Sequence, residues 1–184
     1  MDKPATYSPL QKVLHWLTAI LVIILIPLGI KMVERYNAVD FDAVTTRLYN
    51  SHKLLGALVL FITALRLIVR LTRGVPAPER SLGPMLRLAA TSTHLALYGL
   101  LIIVPILGWV GAAAYDLRSL PFGLSLPAIV APDKDLAGSV VVWHAVGAIT
   151  LGGLALLHFG AGLMHFFVRK DGVLQRMLPG RHRT

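Results

Sequence analysis

The chain has 184 residues, 55% of them hydrophobic, and a mean hydropathy of +0.68, above the apolar share of about 45–50% usual in soluble domains. It has no cysteine, which excludes disulfides, iron–sulfur clusters, covalently attached c-type haem and thiol catalysis. The net charge of +9 sits in residues flanking apolar runs, not in a groove or arm interleaved with aromatics, so it points to membrane topology and away from nucleic acid.

The opening Ser8-Pro9-Leu10-Gln11 reads as a capping box with proline at the first helical position, so a helix starts near residue 9. Residues 13–33 form a first apolar span, interrupted only by Pro27 and closed by Lys31. A cleaved signal peptide would have a shorter apolar region ending at small residues, so this span is expected to be retained. His15 lies inside it, beside Trp16. Residues 34–50 read as a short, charged link. A second span covers 51–71, opening on His52 and Lys53 and closing with Arg66 and Arg70, which can snorkel to the far surface. Gly56, one turn after His52, leaves room beside that histidine.

Residues 72–87 are a loop by composition, with Pro76, Pro78, Pro84, Gly74 and Gly83. The third span, 88–115, has no charge across 28 residues, and Pro105 with Gly108 is expected to bend it. His94 sits near its inner end, with Tyr98 one turn on. Residues 116–135 form an outer segment broken by Pro121-Phe122-Gly123 and Pro127, with Leu124 to Val130 apolar enough to lie in the interface or dip back. The fourth span, 138–168, lies within 33 uncharged residues, more than the roughly 20 needed to cross a bilayer, so the helix tilts or projects. The basic tail is expected to rest on the membrane surface, with His182 solvated. A single membrane domain therefore covers residues 1–184: all-α, a bundle of four transmembrane helices. The N-terminus, the 66–87 region and the tail hold twelve of the 18 Lys and Arg, and the two opposite connections, counted with Lys31 and Lys53, hold six. The positive-inside rule then places both termini in the cytoplasm.

Polar side chains within a membrane are costly and usually functional. Trp143 to His165 carries three of the seven histidines, interleaved with glycines 147, 152, 153, 160 and 162, which let a flat group approach the backbone. His144 and His158 are fourteen residues apart, just under four helical turns of about 3.6 residues, so they share a face roughly 21 Å apart along the axis. That separation suits one site near each leaflet of a hydrocarbon core about 30 Å thick. Haem iron takes neutral imidazole, and a helix bundle can hold the macrocycle between facing histidines. Up–down topology puts His52 and His144 together on the outer side. On the inner side His15 has three possible mates: His158, His165 and His94. Rival readings are weaker. Zinc or copper sites want converging ligands, usually with carboxylate or thiolate help, and a proton carrier wants buried acids; no Asp or Glu lies within a span. Interfacial histidines without a ligand role are the plainest alternative.

The segments YSPLQKVLHW, NSHKLLG, HLALYGLLIIVPILGW and WHAVGAITLGGLALLHFGAGLMHFFVRKDGVLQRMLP resemble the prokaryotic cytochrome b561 family, in its small di-haem branch. The resemblance implies two non-covalent b-type haems, one held by His52 and His144 and the other by His15 and His158. It implies a bacterial inner-membrane protein that passes electrons to ubiquinone, with His165 and His94 as candidates at a quinone site. Members of this branch are described as superoxide oxidases, which implies superoxide as the outer donor. Superoxide is an anion whose encounter a positive patch would speed, and Lys53 beside His52, with Arg118 and with Arg47, Lys31 and Arg35, can form such a patch. The family also contains cytochrome b subunits that dock periplasmic dehydrogenases, so a periplasmic redox protein is the alternative donor. Arg66, Arg70 and Arg87 are candidates to pair haem propionates or, more plainly, the phosphates of membrane lipid.

Overall fold

A computed structural model describes residues 6–77, 79 and 82–178. Four long helices carry the chain: α1 (Pro9–Val39), α2 (Ala43–Arg73), α3 (Pro84–Ala114) and α4 (Lys134–Met164), with α4 continuing into a π-helical turn, His165–Arg169. Each α-helix has 31 residues, roughly 46 Å at 1.5 Å per residue. All four are long and apolar enough to cross a membrane. Their ends therefore project past a hydrocarbon core of about 30 Å. The outward faces stay apolar, with Phe61, Leu71 and Ile149 among the exposed side chains, as lipid-facing positions require.

The ends are set locally. Ser8 caps α1: its Oγ accepts from Gln11 N–H, and Gln11 Oε1 accepts from Ser8 N–H at 2.9 Å. Pro9 and Pro84 open α1 and α3, where a missing N–H costs nothing. Asp133 caps α4, accepting from Asp135 N–H and Leu136 N–H at 3.0 Å each.

The charged stretch 34–50 is mostly helix, not link. α1 runs on to Val39 and α2 begins at Ala43, because charges on a helix that has left the membrane are simply solvated. Lys31 pairs with Glu34 one turn on, and Arg35 pairs with Asp42 across the turn. Asp42 also caps α2 by accepting from Thr45 N–H at 2.7 Å. Tyr36, Phe41 and Tyr49 cluster over this corner.

α1 packs on α2, α2 on α3 and α3 on α4, while α4 approaches α1 only sparingly. Among the described residues, α2 and α4 make no close backbone approach. The apolar core is small: Leu14, Leu21 and Val22 of α1, Val59, Ile62 and Val69 of α2, Leu101 of α3 and Leu151 of α4. The space between the two helical hairpins is crossed by imidazoles.

The outer connection folds back as a small hairpin. Leu120 and Leu124 share a hydrogen bond, as do Leu126 and Arg118, around the 3-10 turn Pro121–Gly123, which packs against α2. Trp109 Nε1–H donates to Pro127 O at 2.9 Å and ties the returning segment to α3. The described part of the tail does not lie away from the protein. It folds over the inner end of the bundle, where Trp16 Nε1–H donates to Met177 O, Lys12 Nζ to Leu178 O and Thr6 Oγ1 to Arg176 O. His182 lies outside the described residues.

Candidate redox site

On the outer side, His52 of α2 and His144 of α4 face one another with ring centroids 6.0 Å apart and planes at 80°. A metal–imidazole bond is about 2 Å, so two imidazoles on one iron put their centroids roughly 6 Å apart. His144 Nδ1 lies 2.9 Å from Val104 O. A carbonyl only accepts, so Nδ1 carries the proton and Nε2 presents a lone pair, the tautomer a metal ligand needs. His52 Nδ1 is buried without a partner. Both rings sit in glycine notches: a Cβ on Gly29 would stand 3.2 Å from His52, and one on Gly108 would stand 3.0 Å from His144. Paired, apolar-shrouded imidazoles with one lone pair fixed and one buried nitrogen unpaired fit a haem.

On the inner side three histidines converge. His158 of α4 has the His15 ring at 6.1 Å and the His94 ring at 5.3 Å. They do not form a bare metal-ion site: among the described residues no group of three His, Cys, Asp or Glu side chains does. Arg66 stands beside them, its Nη2 donating to His15 Nδ1 at 3.2 Å. The guanidinium also stacks on Tyr98 at 5.2 Å, with Arg70 at 5.8 Å. The alternatives left open by spacing thus separate into a cluster containing His15, His94 and His158, and one histidine apart from it. That one is His165, which donates from Nδ1 to Asp171 Oδ2 at 2.7 Å. Burial pushes the Asp171 carboxyl up, but hydrogen bonds from His165, Val173 N–H and Arg169 outweigh it and hold it below the usual carboxylate range.

The glycines of α4 divide in role. A Cβ on Gly147 would meet Val104 at 2.7 Å and one on Gly152 would meet Ile26 at 3.1 Å, so these two serve helix packing, whereas Gly153 and Gly160 face open space. Of the outer cations, Lys53 donates to Leu117 O at 2.6 Å. Arg118 is engaged by Asp116 at 3.2 Å and by Leu126 O. Lys53 therefore meets a carbonyl and has no ion-pair partner among the described residues, while Arg118 is paired with Asp116. Gly29 and Asp171 escape a reading by spacing. Asp171 had a signal, an acid just past the last span and six residues after His165; Gly29 had none, because the notch depends on how α1 turns toward α2.

Facing imidazoles at two depths of a membrane-spanning four-helix bundle define a membrane electron-transfer cytochrome. The sequence matches the family described as prokaryotic cytochrome b561 over residues 6–180, and the chain belongs to that family, which binds b-type haem. It is 33% identical over 181 residues to cytochrome b561 homolog 2 of Escherichia coli strain K12, covering 96% of this chain and 93% of that protein. It is 32% identical over 185 residues to cytochrome b562 of Cereibacter sphaeroides, covering 98% and 100%. A third relative, the probable superoxide oxidase CybB of Yersinia pestis, is 28% identical over 178 residues, covering 94% and 96%. The protein is accordingly a multi-pass, oxidoreductase-type cytochrome of the bacterial inner membrane.

Proposed function

We propose that the chain is a superoxide:ubiquinone oxidoreductase working across the membrane, with both termini cytoplasmic. The observation that carries the reading is the pair of imidazole sets that α4 shares with the opposite hairpin, His144 with His52 and His158 with His15, at 6.0 and 6.1 Å. His52 and His144 would hold one haem and His15 and His158 the other; bound there, the haems supply one-electron redox centres at two depths. Val104 fixes the His144 tautomer, and Gly29 and Gly108 let the outer imidazoles seat.

The reaction balances without a further reagent. Two superoxide anions each give up one electron and leave as dioxygen; ubiquinone takes those two electrons and two protons and becomes ubiquinol. Superoxide is an anion, so a local cation raises its encounter rate. Lys53, adjacent to His52 and free of any ion pair among the described residues, is that cation, and Arg118 contributes less because Asp116 offsets it. On the inner side, His165 and His94 are the imidazoles left for the quinone. The His165–Asp171 pair favours His165, because the carboxylate fixes the imidazole's orientation through Nδ1 and leaves Nε2 as the nitrogen to face a quinone.

The test is a reduced-minus-oxidised spectrum with pyridine-haemochrome quantification, followed by mixing with superoxide and a ubiquinone analogue. About two b haems per chain and superoxide-driven quinol formation are expected. Two haems with no superoxide reaction, and copurification of a periplasmic redox protein, would replace superoxide with that protein as donor.

A further inference from the structure

α4 carries His144 and His158 fourteen residues apart. α2 repeats that spacing with one change: fourteen residues after His52 comes Arg66. Fourteen residues are just under four turns, so His52 and Arg66 lie on nearly the same face of α2, one at each depth. Where α4 presents its second imidazole, α2 presents a guanidinium. Arg66 Nη2 lies 3.2 Å from His15 Nδ1. Arg70, one turn on, shares the Tyr98 ring with it, the two guanidiniums standing 5.8 and 5.2 Å from the ring centroid.

Among the described residues neither Arg66 nor Arg70 forms an ion pair. α2 and α3 contain no Asp or Glu, and Glu34 of α1 and Asp135 of α4 stand at the opposite ends of their helices from His15 and His158. Both arginines are half-buried, where water and salt screen a charge less than at an exposed site. The outer pair is differently placed. Lys53 follows His52 directly and so sits about 100° round the helix from it, and Arg118 is matched by Asp116.

Both haems would bring the same groups, so a difference in potential between them must come from the chain. A reduced haem carries one positive charge fewer than an oxidised one, so a nearby uncompensated cation favours reduction. We propose that Arg66 and Arg70 hold the inner haem at a higher reduction potential than the outer one, so that electrons run from the His52–His144 site to the His15–His158 site. Each electron oxidises the outer centre and reduces the inner one, and no further reagent is needed. The inference rests on the proposed di-haem reading and is independent of which donor feeds the outer site.

The experiment is a redox titration of the full-length, detergent-purified protein followed by visible spectroscopy, with haem per chain read by pyridine haemochrome. His144→Ala, which keeps only the inner haem, assigns the two midpoints. In wild type the inner midpoint is expected above the outer. Arg66→Gln should lower the inner midpoint by about 59 mV, tenfold in a one-electron equilibrium, and leave the outer one in place. Arg66→Lys, which keeps the charge, should restore most of the loss, and Arg70→Gln should act in the same direction by a smaller amount. The outer haem reports folding in every variant, and if Arg66→Gln loses the inner haem, the midpoint in Arg70→Gln decides. An inner midpoint at or below the outer in wild type overturns the inference alone, as does one unmoved by the Gln variants. An unmoved midpoint with loss of copurifying anionic phospholipid would make the arginine pair a lipid-phosphate site instead. Fewer than two haems in wild type overturn the inference together with the di-haem reading.

Discussion

Gly108 and His144 are shaped as a notch and its occupant. The imidazole of α4 lies so close to α3 that a Cβ on Gly108 would stand 3.0 Å from Cε1 and 3.1 Å from Nδ1, while the same Nδ1 donates to Val104 O at 2.9 Å. The ring cannot retreat without losing that bond, because the carbonyl and the glycine belong to neighbouring turns of one helix. A side chain at 108 must therefore swing the imidazole or push the helices apart.

Gly108→Val is accordingly expected to empty the outer site in most molecules, and His144→Ala in all of them, each lowering haem content from about two per chain to about one. Gly99→Ala, where a Cβ meets nothing within 4 Å, should leave both haems. Haem-to-protein ratios across the three variants check this, and two unaltered haems in His144→Ala would sink the outer assignment.

Lys53 and Arg118 lie together at the outer hairpin, but their charges are not equivalent. Lys53 bonds to Leu117 O and Arg118 is shared with Asp116. Replacing Lys53 with Gln should slow the second-order reaction with superoxide by roughly tenfold and flatten its dependence on ionic strength, as loss of local steering does. Arg118→Gln should change the rate about twofold or less, since it removes an already compensated charge. Equal effects from both would show that the field, and not the position of Lys53, matters.

Asp171 holds His165 at 2.7 Å, and both are largely buried. Asp171→Asn is expected to lower the turnover of ubiquinone reduction several-fold with haem content unchanged, because the imidazole loses the carboxylate that fixes its orientation. The carboxyl itself is held below its ordinary range. A depressed carboxylate contributes stability that is fully present above its unfolded pKa of about 3.9 and is lost as pH falls through the lower folded value. Hydrogen exchange in the segment after Arg169 should thus be flat from neutral pH down to the ordinary carboxylate range and rise only below it.

Four apolar spans, the Ser8 capping box, the proline-rich connection and the matched depths of His52 and His144 could be read from sequence because each depends on local pattern. The continuity of α1 through Lys31, Glu34 and Arg35 could not. Charge density looks the same in a loop as on a solvated helical turn, and only the Asp42 cap marks the true break. Convergence of His15, His94 and His158 was equally hidden: spacing gives depth, whereas rotation about each helix axis is set by contacts such as Gly147 against Val104. The fold-back of the tail depends on Trp16 and Lys12 finding carbonyls more than 160 positions away, which no local signal encodes.

That fold-back yields a separable prediction. Arg176 reaches from the tail to the connection between α2 and α3, donating from Nη1 to Ala77 O and from Nη2 to Glu79, each at 2.7 Å. The pair is about a quarter exposed, so water screens part of it, and Arg176→Ala is expected to cost about 1–2 kcal/mol. The loss should be local. Among the described residues the arginine makes no hydrogen bond or ion pair with a histidine, and Trp16 still holds Met177 O, so haem content and spectra should match wild type while amide exchange in residues 170–178 accelerates about five- to thirtyfold. Trp16→Phe removes the other tie and should do the same from the α1 side. If either variant also loses the inner haem, the tail is part of the haem enclosure on that side and not a cap laid over a finished site.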